Sequence, residues 1–168
     1  MRSFVWYAAI LFSMSTTALA DDANSSNAND ASYYCVVEAS GGLTWSPDAK
    51  RWIGTSFRPD HKFIFKLRFL KARNVEMFGN VEQYKDYRAS LTEAGTSDAR
   101  SCIAEGGSEQ EVSADTYGWL SCTTGLVEYR FNLVKLRFLE VYKIGYADGR
   151  DSKGDTPYVG GGTCTKIN

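Results

Sequence analysis

The chain has 168 residues, four cysteines, one histidine and a formal charge of −1; 43% of it is hydrophobic and 14% aromatic. That is too apolar and too aromatic for a disordered chain, and a near-neutral charge supplies no general field for nucleic acid or an anionic membrane. The length suits one domain, the single histidine excludes a histidine-rich metal centre, and no pattern asks for a cofactor.

The N-terminus reads as an export signal. Met1-Arg2-Ser3 is a short positive region, Phe4 to Phe12 is a continuous apolar run, and Ala18-Leu19-Ala20 is an A-x-A cleavage site. The run is too short to span a bilayer, which takes about 20 residues. No later segment is long and apolar enough to do so, so no membrane span is expected in the mature chain. Cleavage after Ala20 removes twenty residues and one arginine, leaving 148 residues at −2 with 19 of the 23 aromatics and every cysteine. The expected location is the periplasm or the medium.

Residues 21–32 are small and polar and read as a disordered leader, so the single domain is expected over 33–168. Cys35, Cys102, Cys122 and Cys164 form an even set without a C-x-x-C spacing, which favours two disulfides over zinc. Three connectivities are open. The favoured one joins Cys102 to Cys122 across an acidic, glycine-containing connection, and Cys35 to Cys164 between the first and last strands.

From Tyr33 onward the chain alternates. Phe63, Phe65, Leu67 and Phe69 share one face, with Lys62, Lys66 and Arg68 on the other. Val127, Tyr129, Phe131 and Leu133 do the same against Glu128, Arg130 and Asn132, and Lys135 to Tyr146 follows after a short link. Tyr33–Val37, Gly42–Ser46, Tyr117–Thr123 and Tyr158–Cys164 are shorter strand candidates. Asn80 to Thr92 carries helical and alternating spacings together, and the reading favoured is a short helix or turn leading into a strand. Seven or eight strands and two bridges predict an all-β, mainly antiparallel fold: a closed barrel or a two-sheet sandwich, with room for one short helix.

The segments Tyr129-Arg130-Phe131-Asn132, Leu136-Arg137-Phe138-Leu139, Gly145-Tyr146 and Asp155-Thr156-Pro157-Tyr158 ahead of Gly162-Thr163-Cys164 are similar to those of small exported alphaproteobacterial proteins, a family without an established function. The N-terminal Cys35-Val36-Val37-Glu38 fits the same pattern. The resemblance implies a bacterial envelope setting and a β-rich domain, and it brings no catalytic residues with it.

Nucleophilic catalysis by a serine or cysteine ordinarily takes a histidine base, and His61 sits in Arg58-Pro59-Asp60-His61-Lys62, which reads as an exposed turn. Asp148, Asp151 and Asp155 do not follow a calcium-loop pattern, and Gly160-Gly161-Gly162 lacks the Lys-Ser/Thr of a phosphate loop. That triplet reads as a strand bend or as close packing beside a disulfide. Glu38, Glu128 and Glu140 lie on strand candidates. Alternation puts Glu140 on the face of Phe138 and Tyr142, and a bulge near Leu139 turning it outward is the favoured explanation. Arg130 and Arg137 fall on outer faces.

Trp45, Trp52 and Trp119 suit either a stacking surface or the core, and core filling is favoured. The candidate binding residues are therefore Glu140, Arg130, Arg137, Trp119, Trp45 and Trp52, with no catalytic or metal-binding residue named. The expected function is a non-catalytic, monomeric exported domain that binds a small ligand, a glycan or a protein, and not nucleic acid. The alternatives are a carboxylate-dependent hydrolase built on Glu140 and a purely structural envelope protein.

Overall fold

The computed structural model describes residues 28–104, 111–149, 151 and 154–168. The expected export signal, most of the expected polar leader and part of the acidic connection between Cys102 and Cys122 lie outside them. Every element among the described residues is a strand: β1 (Ala31–Ser46), β2 (Arg51–Phe57), β3 (Lys62–Met77), β4 (Asn80–Glu93), β5 (Ala99–Cys102), β6 (Glu111–Ala114), β7 (Trp119–Thr124), β8 (Val127–Asn132), β9 (Arg137–Tyr142) and β10 (Tyr158–Lys166).

All the ladders are antiparallel, in the order β5-β4-β3-β1-β10-β9-β8-β7, with β2 added to β1 and β6 to β4. The all-β expectation holds among the described residues; the closed barrel does not, because no ladder among them joins the two ends of this path. β5 and β7 meet through one bridge, Ile103 with Thr123, beside the Cys102–Cys122 disulfide. The Cys35–Cys164 bridge links directly opposed residues of β1 and β10. Both expected pairings are present, but the first and last strands form the centre of the sheet, not a closing seam.

Several strands differ from the sequence reading. Tyr33–Val37 and Gly42–Ser46 are one strand, β1, with a register shift between Val37 and Ala39, and it begins at Ala31, inside the expected leader. The expected helix near Asn80 is absent, because β4 pairs with β3 from Met77–Asn80 to Phe63–Glu93. That ladder satisfies the backbone along both strands, and it puts Tyr87, Ala89 and Leu91 in the core. Lys135–Tyr146 is strand only from Arg137 to Tyr142.

The core is phenylalanine-rich. Phe63, Phe65 and Phe131 are at most 1% exposed, and Phe65 stacks on Phe131 with ring centroids 4.0 Å apart. Both disulfides are buried with them. The tryptophans do not fill the core as expected: Trp119 is exposed, and Trp45 and Trp52 are half-buried.

β1 is where the sheet forks. Its first part, Ala31–Val36, pairs with β3, and its second part, Ser40–Ser46, pairs with β2, while β10 follows it along both. The β2–β3 connection therefore spans the fork, and His61 is its last residue.

Candidate ligand-binding cavity

One row of paired residues crosses five strands at this fork: Tyr129 on β8, Glu140 on β9, Gly160 on β10, Ser40 on β1 and Phe57 on β2. Directly opposed residues point to the same face of a sheet, here the interior. Gly160 leaves a gap in the row, and the Glu140 side chain fills part of it: a Cβ at Gly160 would lie 2.8 Å from Glu140 Oε1 and 2.9 Å from its Cγ. The inner neighbour of the row is closed by Phe131, Phe138, Gly162 and Val37, and the outer one holds Val127, Tyr142 and Tyr158. At Gly162 a Cβ would collide with the Val36 carbonyl, so close packing near the disulfide explains that glycine.

Glu140 is 2% exposed, and no bulge turns it outward. His61 Nδ1 donates to its Oε2 at 2.8 Å. The His61 backbone carbonyl accepts from Val37 N, and its ring lies against Phe63 at 5.1 Å, so this histidine is part of the packed structure, not the exposed turn residue expected. The hydrogen bond to Glu140 raises the imidazole pKa above its ordinary 6.5; burial opposes this, and the charges of Glu140, Glu93 and Asp60 add to it.

These groups line a cavity of about 500 Å³ walled by Val37, Phe57, Pro59, Val127, Tyr129 and Tyr158, with Arg58 and Arg100 among its polar residues. A smaller hollow of about 120 Å³ shares His61, Arg100, Thr124 and Tyr129 with it and adds Glu93 and Asp98. Burial raises the Tyr158 hydroxyl to about 12, with the Glu140 charge adding to the effect. The Tyr129 hydroxyl is raised further, from the same two causes in the same order. Both phenols stay protonated at neutral pH and can donate hydrogen bonds.

The six sequence candidates fall into three places. Glu140 alone is in the cavity. Trp119, Arg130 and Arg137 lie together in a hollow of about 390 Å³ on the outer face of β8–β10. Trp45 and Trp52 are opposed across β1–β2; Trp52 meets Tyr146 at 5.7 Å, and its Nε1 donates to Asp151. Glu38 and Glu128 do not approach Glu140: Glu38 accepts from Thr163, and Glu128 pairs with Lys143. Sequence reasoning missed His61, Tyr158, Arg100 and Ser40 as site residues. A signal for His61 existed, since continuing the alternation of Phe63, Phe65 and Leu67 back by two puts it on the inner face.

The described residues contain no cluster of three or more histidine, cysteine or acidic side chains able to hold a metal ion. Comparison with protein-family models, with curated proteins and with solved structures finds no match to this chain.

Proposed function

We propose that the protein is exported to the bacterial envelope and that its β domain binds a small ligand in the cavity beside Glu140 and His61 without transforming it. The cavity itself carries this reading. Its volume lies within the usual range for small-molecule sites, and its apolar walls surround a few convergent polar groups: the two tyrosine hydroxyls, His61 and Arg100. The two disulfides favour an oxidising compartment outside the cytoplasm, in keeping with the N-terminal signal pattern.

The test is nuclear magnetic resonance mapping with a fragment set of aromatic and aliphatic carboxylates and their neutral amides. Binding that shifts Val127, Tyr129 and Tyr158 and is lost in Tyr129→Ala supports the reading. A set that leaves these resonances unmoved overturns it.

The Glu140–His61 pair favours hydrolysis as a second reading, because a buried carboxylate that orients an imidazole is a general-base arrangement. Among the described residues no serine, threonine or cysteine hydrogen-bonds to the ring. Turnover of a chromogenic ester panel that disappears in Glu140→Gln, with ligand binding retained, would favour the hydrolase.

A further inference from the structure

The hollow outside β8–β10 shares no lining residue with the cavity. Two rows of the outer face form it. Arg130, Leu139 and Gly161 are opposed in sequence across β8, β9 and β10, and Asn132, Arg137 and Thr163 are opposed in the next row, with Trp119 facing Asn132 from β7. Gly161 contributes no side chain, and the half-exposed Leu139 side chain leans over it, its Cδ2 3.2 Å from where a Gly161 Cβ would lie. Trp119 is 44% exposed, and the Arg130 guanidinium lies 4.9 Å above its ring.

Neither Arg130 nor Arg137 enters an ion pair among the described residues. The acid among the lining residues, Glu38, accepts a hydrogen bond from Thr163 Oγ1 at 2.6 Å. On a chain of net negative charge, this hollow collects an excess of positive charge beside an indole.

We propose that this hollow binds an acidic saccharide, with a sugar carboxylate held by Arg130 and Arg137 and a pyranose face packed against Trp119. Guanidinium forks match a carboxylate in geometry and charge. An indole offers a flat apolar wall to the C–H face of a sugar ring, and Leu139, half-exposed above Gly161, adds a second apolar surface to the hollow. Stacking on Trp119 also holds the Arg130 head in place, which reduces the ordering cost of binding.

The experiment is calorimetric titration of the disulfide-bonded chain with uronic acid trisaccharides (galacturonate, glucuronate and mannuronate types), with their methyl esters and with tetraglutamate. At least one trisaccharide is expected to bind about tenfold or more tightly than its ester, and Trp119→Ala and Arg137→Gln are each expected to weaken it about tenfold. Glu140→Gln, in the separate cavity, should leave it unchanged. Both surface variants should keep the wild-type circular dichroism and melting temperature. Failure of all three acids to bind, equal binding of the ester, equal binding of tetraglutamate or indifference to both variants would overturn the proposal.

Discussion

Glu140 and Gly160 are direct partners across the β9–β10 ladder, and the carboxylate occupies the space that a side chain on Gly160 would need. The glycine is what allows a buried acid to lie against the sheet and meet His61. Gly160→Ala is therefore expected to destabilise the fold by about 1–3 kcal/mol, the usual cost of overpacking. Gly54→Ala, where a Cβ would meet nothing within 4 Å, should be near neutral. Urea unfolding of the two variants checks this.

The His61–Glu140 pair links stability to pH. The folded-state pKa of His61 is raised above 6.5, so the stabilisation is fully present below that value and is lost as pH rises through the folded-state pKa. The urea midpoint of the wild type should fall over that window, and Glu140→Gln should remove this contribution. Titration of the single imidazole by proton resonance should show its pKa falling towards the ordinary value in the variant.

The two disulfides span very different lengths of chain, 129 residues for Cys35–Cys164 and 20 for Cys102–Cys122. Chain entropy makes the longer closure worth about 5 kcal/mol and the shorter about 3 kcal/mol. Replacing Cys35 and Cys164 by alanine should lower the guanidinium midpoint more than replacing Cys102 and Cys122. Equal losses would mean that native-state effects outweigh loop closure.

Beyond Phe69 the β3–β4 hairpin runs out as a largely exposed ribbon that ends in Phe78-Gly79, both with positive φ, 51° and 79°. Phe78 is fully exposed, so nothing offsets its left-handed backbone. Phe78→Asn produces the preferred residue pair for this turn and should stabilise the protein by about 1 kcal/mol, read as a rise in melting temperature.

The alternation of Phe63, Phe65 and Leu67, and of Tyr129 and Phe131, was legible because a strand with one covered face writes its burial into every second residue. The cysteine pairing was legible for a similar reason: its favoured form needed only neighbouring strands and a first-to-last contact. The local spacing of β4 suits two structures, and pairing with β3, its hairpin neighbour, chooses between them. β2, β5 and β6 carried too little pattern to be seen at all.

The site depended still more on distant partners. Alternation marks Glu140 as an acid on an apolar face, but nothing near it in the sequence names its partner. The partner is His61, 79 residues away, brought there by the fork in β1. The amino-acid sequence by itself determined strand faces, bridge chemistry and an all-β class, since these follow from local periodicity and cysteine count. Only the tertiary structure decided that the sheet stays open, that His61 meets Glu140 and that Trp119 faces outward beside two arginines. The first two outcomes are set by pairing between segments far apart in the chain, and the third by the register of the consecutive strands β7, β8 and β9, none of which local spacing records.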